Sequence, residues 1–420
     1  MKITKLSNGL TVIYEHAKDT PHDTFQVYVN VGSVLEGKKE RGLNHLVEHL
    51  MFKSTNKRTS AEITRDLEIC GARVNAWTSY DNVCFYFDTL SENMDTCVEI
   101  YADMLMNKKI TWGEFELEKM IVCQEIAMYQ DEPESVNEDN WFHKFFGWEP
   151  IAGKQSVVSK FTLSQVNEYI KAYYVPQNMT ISAYTKIPYY KFIKMVRKHF
   201  GKYTNEGGRL AKKDWEQYCQ ENAKEVFGKD DGSYKVGKIV KKRDTAQVQL
   251  CYGFPVPIMN PLKLEFCSMV MSHGLSSILT NEIREKRGLC YGISAVVENV
   301  ISPHLTSYIP FLLKITSSTE AENIKEFKKV LPVVVKNLPD LVTQNDITRV
   351  KNANKMKKVV PSTVATHNFF AYQHPELKLK PIHKEIKNLQ KMTLKEVIEL
   401  FETIVNYKSG SYNYAMLGDI

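Results

Sequence analysis

Residues 45–49 read His-Leu-Val-Glu-His. On a helix, His45 and His49 stand one turn apart and project from the same face. At ~100° per residue, His49 lies ~40° round the axis from His45 and Glu48 ~60° to the other side, so all three groups fall in one arc. Two neutral imidazoles at that spacing can grip a zinc ion and leave an acid beside the open coordination position. Zinc lowers the pKa of bound water towards ~7. A neighbouring carboxylate, here Glu48, can then take a proton from that water as it attacks a carbonyl. Leu43, Leu46, Val47 and Leu50 supply the apolar contacts that would seat such a helix. The order H-x-x-E-H is the reverse of the commoner H-E-x-x-H.

Catalytic zinc usually has three protein ligands, so one more must come from elsewhere. The run Thr111–Gln130 predicts a helix, with Thr111 and Glu114 as its capping box and Pro133 beyond its end. Glu118 and Glu125 lie seven residues apart in it and share a face. Spacing alone does not choose between them.

The elements that must position these groups belong to a chain of 420 residues. Apolar residues at 43% and a net charge of only +6 exclude intrinsic disorder as the dominant state. The chain has no dense Lys/Arg block to mark a nucleic-acid binder; the nearest, Lys355, Lys357 and Lys358, reads as a solvated helix face. No stretch approaches the ~20 apolar residues of a membrane span. The first residues, MKITKLSNGLTV, lack the apolar core of a signal peptide. None of the eight cysteines forms a C-x-x-C pair, which argues against a zinc ribbon and for reduced, mostly buried thiols. The expectation is a soluble cytoplasmic protein with no nucleic-acid or membrane partner.

Two internal echoes set the organisation. Asp23-Thr24-Phe25-Gln26-Val27 returns 221 residues later as Asp244-Thr245-Ala246-Gln247-Val248, each opening an alternating strand that ends at a glycine, Gly32 or Gly253. Thr162-Leu163-Ser164-Gln165-Val166 returns 231 residues later as Thr393-Leu394-Lys395-Glu396-Val397. Each threonine is placed to cap a helix, and each helix precedes an apolar strand, Met179–Tyr184 or Tyr412–Leu417. The chain therefore reads as a duplication: a domain over 1–204, a polar, glycine-rich linker over 205–235 with a short helix from Asp214 to Val226, and a homologous domain over 236–420. Strands at Val27–Val31 and Asn82–Asp88, with helices at Ala61–Cys70, Met94–Met106 and Thr111–Gln130, make each half α+β, a sheet covered by helices on one face.

These residues together resemble the pitrilysin, insulin-degrading and mitochondrial-processing peptidases. Leu6-Ser7-Asn8-Gly9-Leu10 is similar to the family's opening; Gly32-Ser33, Glu36 and Gly42 lead into the motif, and Phe52 and Thr55 follow it. Gly71-Ala72-Arg73-Val74-Asn75-Ala76-Trp77-Thr78 resembles the family's G-A-x-x-N-A-x-T strand, and the duplicated half is the family's building unit. Glu149-Pro150-Ile151 and Tyr184-Thr185 depart from the patterns of many relatives.

The resemblance implies a zinc endopeptidase with one zinc per chain held by His45, His49 and Glu125. Glu125 stands 76 residues after His49 and seven after Glu118, as in the family, where the earlier acid orients the site. It implies further that Glu48 is general base, and that Asn75 and Ala76 lie on an edge strand that takes peptide by backbone pairing. Arg284 to Tyr291 resembles the family's R-x-x-x-G-L-x-Y segment, whose Arg and Tyr bind substrate and the oxyanion. The second half lacks the motif, so no second metal site is expected. A closed chamber in the family needs four such domains, which implies a dimer, homodimeric or as the catalytic half of a heterodimer. A non-catalytic assembly subunit is the rival reading, against which the intact motif, Glu125, Arg284 and Tyr291 all count.

Overall fold

The computed structural model describes residues 1–217, 237–298, 311–356, 359–407 and 412–419. Its principal helices are α1 (Leu43–Leu50), α2 (Ser60–Ile69), α3 (Met94–Met106), α4 (Trp112–Asp131), α5 (Pro133–Phe146), α6 (Leu163–Tyr173) and α7 (Tyr189–Phe200). They continue as α8 (Pro261–Ser272), α9 (Ile324–Lys336), α10 (Gln344–Met356), α11 (Pro361–Gln373), α12 (Ile382–Lys391) and α13 (Leu394–Asn406). Helix starts follow their side-chain chemistry. Thr59 with Glu62, Thr162 with Gln165 and Thr393 with Glu396 each close a capping box, so both members of the second echo open a helix as expected. Thr111 and Glu114 bond each other's backbone amides at the start of α4 in the same way.

The strands are β1 (Lys2–Lys5), β2 (Thr11–His16), β3 (Asp23–Val29), β4 (Arg73–Thr78), β5 (Val83–Thr89), β6 (Met179–Thr185), β7 (Gly237–Lys242), β8 (Val248–Val256), β9 (Ile293–Glu298), β10 (Phe311–Thr319) and β11 (Asn413–Gly418). They form a six-stranded sheet, β1-β2-β6-β3-β5-β4, and a five-stranded one, β7-β11-β8-β10-β9. Without β1 the two orders are the same. In each sheet one neighbouring pair, β2 with β6 and β7 with β11, is parallel and the rest are antiparallel. The duplication inferred from two short echoes is thus a duplication of topology.

The domain boundaries need correction. Contacts divide the chain into one unit of residues 1–127, 149–218 and 359–374, and another of residues 128–148, 219–358 and 375–420. Neither unit is continuous: α5 belongs with the second sheet and α11 with the first. Of the expected linker, 211–217 is helical and 218–235 lies outside the described residues.

The exchange also corrects the expectation of a sheet covered on one face. All seven residues of β3 are buried. Alternate strand residues point to opposite faces. Phe25 packs against Phe192 and Phe200 of α7 at 6.2 and 6.4 Å between ring centroids. On the other face Tyr28 stacks on Phe369 of α11 at 3.5 Å, and Gln26 donates to the Ser362 carbonyl at 3.2 Å. In the second unit, Asn137 of α5 donates to the Ala415 carbonyl at 3.3 Å, while Ser268 of α8 donates to that of Ala295 at 2.7 Å. Strand β8 runs on through Gly253, where a Cβ would meet Trp141 of α5 at 2.2 Å. That glycine is a seat for an indole and not the end of the strand.

Candidate metal centre

Helix α1 buries Leu43, Leu46, Val47 and Leu50, the apolar set read from the sequence. That burial fixes the rotation of the helix and turns His45 and His49 together, with ring centroids 4.7 Å apart. Glu125 of α4 meets both from the side. Its Oε2 is 3.7 Å from His45 Nε2 and 3.4 Å from His49 Nε2. All three ligand atoms lie within 4.8 Å of one another, the one such grouping among the described residues. Bonds of ~2.0–2.2 Å to zinc place tetrahedral donors roughly 3.3–3.6 Å apart, so the Glu125 distances suit a cation between the groups. Two imidazoles and a carboxylate are also a donor set zinc accepts.

The electrostatics agree. Burial, reinforced by the charge of His49, pushes His45 down to about 4 and keeps it a neutral ligand. Burial works against a proton on His49 too, but hydrogen bonds to Glu118 and Glu125 and the charge of Glu48 override it and raise this imidazole to about 9. The carboxylates therefore call for a positive charge at this spot, and a metal ion would take over that role.

Glu118 occupies a different place from Glu125. It is 4% exposed and sits behind His49, with Oε2 3.3 Å from Nδ1 and Oε1 2.5 Å from Lys53 Nζ. Burial alone would raise its carboxyl, but His49 and Lys53 hold it below the ordinary value. When the second proton of His49 is displaced, an Nδ1–H donated to Glu118 leaves Nε2 as the lone-pair nitrogen on the Glu125 side.

Glu48 is buried on the same helix, and Thr78, the last residue of β4, donates to its Oε2 at 2.5 Å. Burial raises its carboxyl, and the Thr78 hydrogen bond opposes the rise. A desolvated carboxylate with one oxygen anchored and a raised affinity for protons has the make-up of a general base.

Asn75 is exposed and Ala76 half-buried in β4, which has no further strand beyond it among the described residues. Arg284 and Tyr291 belong to the other unit. Arg284 lies in a π-helical turn, Thr280–Glu285, and its guanidinium sits 5.1 Å from the centre of the Tyr291 ring, which is 80% exposed. The structure thus gathers His45, Glu48, His49, Glu118 and Glu125 at one place and pairs Arg284 with Tyr291.

Sequence reasoning missed Lys53 as the partner of Glu118 and Thr78 as the anchor of Glu48. The four-residue step from His49 to Lys53 was a signal for the first. The second is a contact over 30 residues with no local sign.

A helix with paired histidines lies beside an antiparallel-rich sheet in a chain of two topologically equivalent halves, and its His-His-Glu cluster could hold a metal ion. Residues 11–154 match the family described as "Insulinase (Peptidase family M16)", and residues 160–354 match "Peptidase M16 inactive domain". The chain belongs to the M16 peptidase family. It is 30% identical over 302 residues to an uncharacterized zinc protease of Mycobacterium leprae, a match covering 70% of this chain and 65% of that protein. It is 26% identical over 338 residues to the Bacillus subtilis uncharacterized zinc protease YmxG, covering 79% of this chain and 76% of the relative. Among solved structures it superposes on a protease from Helicobacter pylori with a TM-score of 0.81, at 18% identity and 99% coverage of both chains. It matches a peptidase M16 inactive domain from Pseudomonas fluorescens with a TM-score of 0.82, at 14% identity, covering 100% of this chain and 98% of that one. These two likenesses speak for the fold. No described helix is long and apolar enough to cross a membrane.

Proposed function

We propose that this chain is a zinc-dependent endopeptidase that hydrolyses peptides or unfolded segments. The observation that carries the reading is the convergence of His45 Nε2, His49 Nε2 and Glu125 Oε2 beside the buried carboxylate of Glu48. His45, His49 and Glu125 would hold one zinc, and Glu118 would keep His49 in the tautomer that binds it. When bound, zinc supplies Lewis acidity, which polarises a carbonyl and acidifies water towards ~7. Glu48 takes one proton from water as the water oxygen bonds to the scissile carbonyl carbon. It returns that proton to the amide nitrogen as the C–N bond breaks, and the products are a carboxylic acid and an amine. Thr78 holds the carboxylate through both transfers.

The exposed edge of β4 suits an extended chain pairing through its backbone around Asn75 and Ala76. The end of that strand touches Glu48 through Thr78. Arg284 and Tyr291 offer a guanidinium and a phenol O–H, both donors suited to a developing oxyanion. We read the pair as serving the zinc of a partner chain in a homodimer that closes a chamber, which would restrict substrates to extended chains. The seven described cysteines are free, in keeping with a reducing cytoplasm.

Zinc analysis of the purified chain beside a quenched-peptide assay tests the reading. Stoichiometric zinc and chelator-sensitive cleavage of extended peptides, with a stable folded domain spared, is the expected result. A metal-free chain without peptidase activity would sink it.

A further inference from the structure

Helix α1 carries both histidines on eight residues. A helix that short is marginal on its own, and each end leaves four backbone groups without helical partners. It also lacks a capping side chain of its own. Its N-cap is Gly42, at φ +95°, where a Cβ would lie 2.5 Å from the Ala152 carbonyl oxygen and 2.9 Å from Val158 Cγ2. The close approach that excludes a capping side chain there is met from outside. Glu36, 3% exposed, accepts from the Gly42 amide at 2.8 Å with one oxygen and from the Asn44 amide at 2.6 Å with the other. Asn44 directly precedes His45.

The opposite end is held by a cation. Lys108 Nζ donates to the carbonyls of Met51, at 2.7 Å, and Lys53, at 2.5 Å. Lys53 in turn pairs with Glu118, which accepts from His49. Glu36 offers acceptors at the end where α1 leaves backbone N–H groups unpaired, and Lys108 offers a donor at the end where it leaves carbonyls unpaired. Glu36 is buried and Lys108 is half-buried. Burial raises Glu36 to about 8, against the pull of the Asn44 and Gly42 amides and of Arg41. Burial lowers Lys108 to about 7, against the pull of Glu114 and Asp103. Neither side chain is among the candidate ligands.

We propose that Glu36 and Lys108 are positioning residues that clamp α1 from its two ends and hold His45 and His49 in the geometry zinc requires. The inference rests on the metal reading above. It gives a reason for a buried acid and a half-buried amine at the two ends of this helix.

The test uses the whole 420-residue chain as Glu36→Gln, Lys108→Met and, as control, Val334→Ala, a core truncation in the other unit. Affinity for zinc alone is measured by chelator competition, at a temperature where circular dichroism shows each metal-free protein folded. Gln keeps one acceptor and turns an amide N–H₂ at the other helix N–H, so one end of the clamp is lost. Outer contacts of this kind change metal affinity by about 10–100-fold. The expected result is that loss in both clamp variants, with Val334→Ala binding zinc like the wild type although it melts earlier. Glu36→Asp, one methylene short of both amides, serves in place of Glu36→Gln if that variant does not fold, with loss in the same direction. Wild-type affinity in the clamp variants, or an equal loss in the control, overturns the clamp and leaves the metal reading standing. A wild-type chain that binds no zinc overturns both.

Discussion

Replacing Glu118 by Gln separates an orienting acid from a ligand. The substitution keeps the shape of the side chain and removes its charge. Two contacts change: the oxygen 3.3 Å from His49 Nδ1 can still accept, while the oxygen 2.5 Å from Lys53 Nζ becomes an amide that opposes the ammonium. Removing one partner of a buried ion pair costs about 3–5 kcal/mol. The Lys53 and His49 side chains are 25% and 23% exposed and can rehydrate, so the figure for a hydrogen bond to a charged group, about 1.5–3 kcal/mol, is the better one. The pH dependence has a defined sign. Glu118 has its carboxyl lowered below 4.5 in the fold, so its contribution is full above that pH and is lost as pH falls through the lowered value. The stability gap between wild type and Glu118→Gln should therefore be widest near neutrality and close in acid. Zinc affinity should fall about 10–100-fold, or roughly 1.4–2.8 kcal/mol. Glu125→Ala, which removes one of the three proposed ligands, should fall further. Chelator competition and thermal melts across pH measure both. Unchanged affinity in Glu118→Gln would refute the orienting role, and a larger loss there than in Glu125→Ala would exchange the two assignments.

Glu48→Gln should keep zinc and lose turnover by at least ~10²-fold, measured as metal content beside kcat; near-normal turnover would remove Glu48 as the base. If the proposed homodimer forms, mixing Arg284→Ala/Tyr291→Phe with Glu48→Gln should restore activity that neither parent has, because one site of each mixed dimer would combine intact groups from two chains; a demonstrated mixed dimer without activity would reject action across chains. Glu36, raised by burial from 4.5 to about 8, contributes stability that is full below 4.5 and lost as pH rises through about 8. Melting temperature should thus fall between about pH 5 and about pH 9 more steeply in the wild type than in Glu36→Gln, and parallel profiles would contradict that burial. Phe369→Ala should lower stability by about 3–5 kcal/mol in a urea titration, since the ring is fully buried against Tyr28.

The site was legible where its chemistry is contiguous. Residues 45–49 occupy little more than one helical turn, and periodicity alone turns His45, Glu48 and His49 to one side. The seven-residue step from Glu118 to Glu125 showed two acids on one face of α4, but α4 meets α1 at an angle that no local pattern records. Only contact distinguishes the acid behind His49 from the acid before both imidazoles. The anchors of α1 were less visible still. Glu36 reaches its amides over six and eight residues through an irregular loop, and Lys108 reaches the Met51 carbonyl over 57.

The fold shows the same division between local and distant information. Asp-Thr-Phe-Gln-Val-Tyr-Val alternates as a strand with one wet face should, which accords with the expected sheet covered by helices on one face. Yet the polar residues on that face are not wet. Gln26 donates to the Ser362 carbonyl and to Thr366, and Ser182 donates to the Ala365 carbonyl, all on a helix from the other end of the chain. A side chain that can hydrogen-bond water can equally bond the backbone of a covering helix, so polarity alone does not reveal which of the two it meets. Alternation therefore fixes the strand and its inner face, while the occupant of the outer face is set by where a helix more than 330 residues away finds its apolar partners, Tyr28 above all. Continuous domain boundaries fail for this reason: each half of the sequence specifies its own sheet, but a sheet with two faces to bury takes one of its covers from the other half.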